Sequence, residues 1–326
     1  MKKEVGIDIG NHSIKLIELE ERKGHITLTK CFYLKITNGD KKSALKELLE
    51  QSKSTLKRAV TSIAGPSVIV RYIEMPPMKK EELKSAIKFE AEKYIPFHID
   101  ESIIDFAILN KTSIGTQRIL LVAAKRQDVI NLIEFLKEFG LEPAAIDIDS
   151  LAVLNSFRHT KVETTQDNVY ALVNIGARFS NMNILIGQDL YFTRDIILGG
   201  MDITTRIKDG FGIGFDEAEL LKIEPRDKRE DVARTIIPVL EKLASQIKLS
   251  LDYFETQYGR NVDRLYVSGG SSYLFNMVDF LKEGLGIDVI MWNPFEGITA
   301  LDLPDEARHL PAQFAVAMGL ALREVV

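Results

Sequence analysis

The stretch Asp8-Ile9-Gly10-Asn11-His12-Ser13-Ile14-Lys15 sets a carboxylate, a glycine corner and an ammonium close together in the chain. That combination suits a polyphosphate. Gly10 lets the backbone turn sharply and approach a ligand, and the N–H groups of such a corner can converge on an anion. Lys15 can neutralise phosphate charge, and Asp8 can hold a hydrated Mg²⁺. An ordinary β-hairpin with a polar tip would carry the same residues, so this stretch alone leaves both readings open. The arrangement returns at Asn174-Ile175-Gly176, followed after a corner by Asn183-Ile184-Leu185-Ile186. A repeat spaced this widely points to a duplicated domain rather than a solenoid. Two such corners facing each other across a cleft would form one nucleotide site.

Three shorter stretches belong with the corners. Ser268-Gly269-Gly270-Ser271 lies between a strand pattern and a helix pattern, where backbone N–H groups can receive phosphate and missing side chains admit a base or ribose; a plain strand–helix turn has the same residues. Glu219 and Lys222 share a helix face at their spacing, so both can reach a ribose, although an exposed ion pair is the commoner meaning. Asp147 and Asp149 precede a helix, where negative charge is favoured by the dipole alone.

The elements that must position these residues are legible from periodicity. Val5, Ile7 and Ile9 alternate with Gly6 and Asp8, and Ile14, Leu16 and Ile17 resume after the corner, giving two adjacent strands. Residues 26–34 read as a further strand, 43–52 as a helix, and 59–64 and 68–75 as two more strands of a mixed α/β sheet. Pro76-Pro77 interrupts the sheet. A charged helix over 79–94 follows, stopping at Ile95-Pro96-Phe97. Strands at 102–110 and 117–125, a helix at 127–139 and a strand at 144–148 complete a small α/β unit expected at 78–147. Beyond the second corner come a strand at 190–198 and helices at 202–210 and 215–222, with an N-cap at Asp216 or nearby. The longest helix covers 236–258, Gly259 ending it. A strand at 264–267, a helix at 274–283, a strand at 288–291 and an apolar helix at 311–323 finish the chain.

Composition bounds the function. The 326 residues are 45% hydrophobic and 27% charged, which is globular and points to two domains or one large bilobal one. A net charge of −5 without long basic blocks disfavours a nucleic-acid partner. The single cysteine, Cys31, sits in an apolar run and reads as a small buried residue in a reducing compartment. No His/Cys spacing suits a metal. The chain opens into a strand without a secretory segment, and no apolar run reaches the roughly 20 residues of a transmembrane helix. The expectation is a soluble cytoplasmic protein.

The motif order carries a resemblance. DIGNHSIK, IDIDSLAVLN, VNIGARFSNMNIL, ILGGMDIT with AELLK, VSGG and PAQFAVAMGLALR follow one another as do the two phosphate loops, two connecting helices and adenosine motifs of the actin-like ATPase superfamily, over nearly the whole chain. Within it the chain resembles the branch that holds the FtsA and PilM families, which carries an inserted subdomain matching 78–147, and Glu90-Ala91-Glu92-Lys93-Tyr94-Ile95-Pro96-Phe97 is similar to the EAEKYIPF signature of the PilM family. FtsA proteins end in a membrane-binding helix, whereas this sequence ends Leu322-Arg323-Glu324-Val325-Val326, favouring PilM.

That resemblance implies a bilobal, duplicated ribonuclease H-like α/β fold. Residues 1–77, 148–167 and 311–326 would form the first lobe core and 78–147 the insert. Residues 168–200 and 259–310 would form the second lobe core, and 201–258 its outer subdomain. It implies ATP or ADP with Mg²⁺. Asp8 would hold the metal through water. Gly10, Asn11, Ser13 and Lys15 would grip the β- and γ-phosphates from one side, and Asn174, Gly176, Ala177 and Ser180 from the other. Glu219 and Lys222 would reach the ribose, and Gly200, Gly269, Gly270 and Ser271 the adenosine. Asp149 stands about where the superfamily keeps the residue that positions the attacking water. Two departures bear on turnover. Asn174 replaces an Asp, losing the charge that orients metal-bound water, and Arg178 replaces a glycine. ATP binding with slow or negligible hydrolysis is therefore expected.

The family likeness further implies a cytoplasmic adaptor at the inner face of the inner membrane, in a type IV pilus assembly platform. Its membrane association would be indirect, through partners. It would bind the N-terminal cytoplasmic tail of PilN in a groove between first lobe and insert, with Tyr94, Ile95, Pro96 and Phe97 as candidate contacts; simple packing of the insert would place the same residues there. Other platform proteins and assembly motors are implied as partners. A filament-forming FtsA-like actin homologue, a sugar kinase on the same fold, and a cytoplasmic platform component of type II secretion are the competing readings.

Overall fold

In the computed structural model, β1 (Lys2–Ile9) and β2 (Ser13–Arg22) pair antiparallel around the Gly10 corner, and β3 (His25–Lys35) continues the meander. These strands are covered on both faces. Val5, Ile7 and Leu16 pack beneath helix α1 (Lys41–Ser52), while Ile17, Leu19 and Leu28 meet the chain's last helix. Asp40 starts α1 by accepting the Ser43 N–H at 3.0 Å. Cys31 lies in this interior, and burial pushes its thiol up to about 12, so it is an inert packing residue. The chain continues through β4 (Arg58–Ile63), β5 (Val68–Met75), α2 (Lys80–Ala91), β6 (Ser102–Lys111), β7 (Gln117–Lys125), α3 (Arg126–Lys137), β8 (Glu142–Ile148) and α4 (Asp149–His159). Residues 2–55, 57–111, 115–160, 162, 164–300 and 303–323 are described. The expected chain end at Glu324, Val325 and Val326 lies outside them.

The second half repeats the opening. β9 (Val169–Ile175), β10 (Ser180–Ile186) and β11 (Asp189–Ile196) form a second meander around the Gly176 corner. Then come α5 (Gly200–Phe211), α6 (Phe215–Ile223), α7 (Arg229–Tyr258), β12 (Arg264–Ser268), α8 (Met277–Leu285), β13 (Asp288–Met291), β14 (Thr299–Ala300), α9 (Asp305–His309) and α10 (Ala315–Leu322). The first sheet runs β14-β3-β2-β1-β4-β8, the second β11-β10-β9-β12-β13, and a third, smaller sheet β5-β7-β6. Antiparallel meander and parallel crossover strands thus recur in both large sheets. Gly214 rather than Asp216 caps α6, and Asp216 sits in its first turn, where a carboxylate favours the helix dipole.

Two strands take sheets other than those read from the sequence. Val68–Met75, expected beside the first-lobe strands, pairs along its whole length with β7 in the small sheet. The strand at 144–148, expected in the insert, is β8 and runs parallel to β4 in the first sheet. The physical reason is the Gly65-Pro66 turn. Gly65 has φ of +97°, and the chain leaves the first sheet there. Pro76-Pro77 marks a loop inside the unit, between β5 and α2, rather than its border.

The lobes meet through α4 and α10. A Cβ on Gly319 would stand 1.6 Å from the Ala152 carbonyl oxygen, and one on Gly6 would stand 2.4 Å from that of Ala317. Only glycine admits such backbone-on-backbone contact. Beside α10, Phe157 of α4 meets Trp292 edge-on at 5.4 Å between ring centroids and Tyr266 of β12 at 5.1 Å. No described helix is long and apolar enough to cross a membrane.

Candidate functional site

The two corners are built alike. Gly10 N–H donates to Ser13 O at 3.1 Å, and Gly176 N–H donates to Phe179 O at 3.1 Å. A Cβ would stand 2.8 Å from Ser13 O at the first corner and 2.6 Å from Phe179 O at the second. Glycine is therefore needed at both. In the first hairpin Asp8 lies opposite Lys15, and their side chains meet at 2.8 Å in a buried ion pair. In the second, Asn174 lies opposite Asn181, and Asn181 opposite Asp195. Directly opposed residues share a sheet face, so two amides and a carboxylate stand where the first hairpin sets a carboxylate and an ammonium.

The second corner is pinned by its neighbours. Gly176 O accepts from Gly200 N–H at 3.0 Å and from the Ser271 hydroxyl at 2.9 Å. Met201 N–H donates to Ala177 O at 2.7 Å, and Asp202 accepts the Gly199 N–H at 2.9 Å to start α5. Gly269, at φ +90°, crosses over β9 so closely that a Cβ would meet Ile175 O at 2.4 Å. Gly270 is open, with Gln313 Oε1 as its nearest neighbour at 4.0 Å. Gly200, Gly269, Gly270, Ser271 and Gly176 thus converge. Ser180 does not join them. It is fully buried and donates its hydroxyl to Leu198 O at 2.7 Å.

On α6, Lys222 Nζ reaches both Glu219 oxygens at 2.6 and 2.8 Å, Thr204 Oγ1 at 2.9 Å and Gly200 O at 3.3 Å. The Thr204 hydroxyl also donates to Glu219. Burial alone would raise the Glu219 carboxyl, but Lys222, these hydrogen bonds and His12 together hold it below its usual range. Burial depresses Lys222, against the pull of Glu219. His12 Nδ1 stands 3.9 Å from Glu219, so the first corner faces α6 across the cleft; burial keeps the imidazole below its ordinary pKa. Lys41, itself depressed by burial, feels both Asp8 and Arg178. Lys35 acts on both His12 and Lys222. Lys15, Lys35, Lys41, Arg178 and Lys222 therefore act electrostatically on groups of the cleft.

Asp149 opens α4 and stays partly accessible. Burial, and then the nearby Asp8 carboxylate, push its carboxyl up to about 7, although Ser62 donates to it at 2.6 Å. Asp195 is likewise pushed up to about 6 by burial. Sequence reasoning missed His12, Lys41, Asn181 and Asp195. For Asn181 a signal existed: its separation from Asn174 equals that of Lys15 from Asp8.

A polyphosphate fits this donor set, with glycine corners for close approach and cations to balance charge. Among the described residues no group of three or more His, Cys, Asp or Glu side chains is placed to hold a metal directly.

The expected peptide contacts lie apart from the corners. Tyr94 and Pro96 are exposed and Phe97 half-buried, with Lys125 Nζ over its ring at 6.0 Å. Ile95 is buried, its N–H donating to Ala91 O at 3.0 Å.

Duplicated meanders, paired glycine corners and two crossing connecting helices define the actin-like ATPase fold. Other proteins of that fold align over the chain. The ethanolamine utilization protein EutJ from Carboxydothermus hydrogenoformans superposes with a TM-score of 0.57 at 15% identity, covering 99% of this chain and 90% of that one. An MreB of Spiroplasma citri bound to AMPPNP gives 0.52 at 13% identity, covering 99% and 96%. The chain belongs to the type IV pilus assembly protein PilM family, whose model matches residues 6–325. A solved PilM–PilN type IV pilus biogenesis complex superposes with a TM-score of 0.89 at 28% identity, covering 99% of this chain and 98% of that one.

Proposed function

We propose that this PilM-family protein binds ATP with Mg²⁺ between its two glycine corners and serves as an adaptor that docks the N-terminal cytoplasmic tail of PilN. The single observation behind the nucleotide reading is the pair of equivalent glycine corners, with the Asp8–Lys15 pair at the first. Lys15 and Lys41 would neutralise the phosphates from one lobe and Arg178 from the other, with the N–H groups of Asn11, Ser13 and Ala177 nearby. Glu219 and Lys222, already fixed by Thr204, would receive the ribose. Gly269 and Gly270 leave room for the adenosine, and Ser271 holds the second corner rather than the ligand.

Slow hydrolysis follows from the same residues. Asn174 and Asn181 offer neutral amides where a base would be useful, which leaves Asp149, pushed up to about 7, to act alone as a base. Bound nucleotide then acts on the lobes rather than as a consumed substrate. The PilN reading rests on the likeness to the solved complex and on exposed Tyr94 and Pro96 beside half-buried Phe97. Such an adaptor stands at the cytoplasmic face of the inner membrane through its partner.

Calorimetric titration with a synthetic PilN tail, with and without Mg-ATP, tests both halves. Saturable tail binding that changes with nucleotide is expected. Nucleotide binding without tail binding would remove the adaptor half, and the converse would remove the nucleotide half.

A further inference from the structure

A groove of about 940 Å³ runs between β5 of the small sheet, β11 of the second sheet and the C-terminal half of α7. Both strands are outermost in their sheets. Lys125 N–H donates to Ser67 O at 3.1 Å, which places the hydrogen-bonded pairs of the β5–β7 ladder at Ile69, Arg71 and Ile73. Val68, Val70, Tyr72 and Glu74 therefore turn their backbone groups outward. Val68 N–H indeed donates to Gly65 O at 2.9 Å, outside the sheet. Edge strands are blunted by proline, a bulge or charged side chains; β5 has no proline or bulge, and Arg71 and Glu74 are its charged residues.

The groove's side chains suit an acidic segment with apolar residues. On α7, Leu249 and Tyr253 are 57% and 54% exposed within it. Three arginines line it. Arg71 meets its neighbour's carbonyl, Val70 O, at 2.9 Å. Arg118 donates to Tyr191 O and lies 4.4 Å over the Tyr72 ring. Arg194 bonds Ser250 and Gln246 at 3.3 and 2.8 Å. Among the described residues none of the three meets a carboxylate. Of the two lining acids, Glu74 accepts from Thr116 at 3.2 Å and Asp195 takes a backbone bond from Gly65. Tyr72 and Thr193 carry buried hydroxyls with no partner among the described residues.

We propose that this groove is a second peptide site, distinct from Tyr94–Phe97, which takes an acidic segment in extended form as an added strand on the β5 edge. The outward N–H of Val70 and the outward backbone groups of Tyr72 and Glu74 supply affinity, and the arginines select carboxylate side chains, Arg71 leaving Val70 O to do so. A smaller cavity shares Pro66 and Ile197 with the groove and reaches Arg178 and Phe179, so the added strand ends beside the second glycine corner.

The test uses the full chain and a blocked peptide of about nine alternating glutamates and valines, strand length for globular proteins, with a lysine–valine peptide as control. Saturable binding at least about tenfold tighter than the control is expected. Amide exchange at Val70, Tyr72 and Glu74 should slow. Arg71→Glu with Arg194→Glu should abolish the preference while ATP and the PilN tail still bind; should that pair unfold the chain, Arg71→Glu alone, an exposed position, should weaken it several-fold. No saturation, equal binding of the control, protection elsewhere, or displacement by the PilN tail would each overturn a separate acidic-strand site. Because tail and ATP binding are measured on the same protein, failure here is distinct from failure of the adaptor reading.

Discussion

At the scale of single residues, the Glu219–Lys222 pair governs the α6 side of the cleft. Removing one partner leaves the other charged, buried and unpaired, which costs about 3 kcal/mol or more. Lys222→Met should therefore lower stability by about that amount in chemical denaturation, and the double variant with Glu219→Gln should recover part of it. Asp149 sets a pH dependence. Its folded pKa of about 7 lies above the ordinary 3.8, so between those values the folded protein holds a proton that the unfolded chain has lost. Stability from this group accordingly falls as pH rises from about 4 to 7, and the cost is complete above 7. Asp149→Asn keeps a partner for Ser62 and removes that cost. Its gain in Tm over the parent should be larger at about pH 8 than at about pH 5; an equal gain at both would sink the assignment. Much of the cleft was legible in the sequence at this scale, because glycine corners and the Glu219–Lys222 spacing are local signals. Ser180, Ile95 and His12 were not, since which strand or loop residues turn inward depends on what packs against them from distant parts of the chain.

At the scale of elements, α10 is the test of how closely backbones approach. Gly319→Ala drives a Cβ into the Ala152 carbonyl at 1.6 Å, so a shift of α4 against α10 must follow, at a cost of about 3 kcal/mol. Gly284→Ala, on α8, is the control. Its Cβ would rest 3.8 Å from that of Ala244, and better helix propensity should stabilise the protein by up to about 1 kcal/mol. Urea midpoints moving in opposite directions are expected; an unchanged midpoint for Gly319→Ala would mean that α10 tolerates displacement. Both meanders, the long helix and the connecting helices were readable from periodicity. The membership of β5 and β8 was not, because alternation reports a strand and says nothing of its hydrogen-bonding partner. Pro76-Pro77 misled for the same reason, as a proline pair breaks pairing within a unit and between units alike.

At the scale of the whole molecule, the two lobes touch at Gly65, where a Cβ would stand 2.7 Å from the Phe179 ring of the second corner. Gly65→Ala adds that clash to a left-handed backbone, holding the corner away from its place. ATP affinity should fall about tenfold, or 1.4 kcal/mol, with the fold retained by circular dichroism; unchanged affinity would separate this contact from the nucleotide cleft. Trp292 is the only tryptophan in the chain, is 2% exposed, and lies between Phe157 of one lobe and the β13 end of the other. Its indole N–H has no partner among the described residues. The protein thus carries its own optical gauge: a rotation of one lobe against the other changes what surrounds a single emitter, and its colour and lifetime can follow nucleotide and peptide additions in solution without any attached dye.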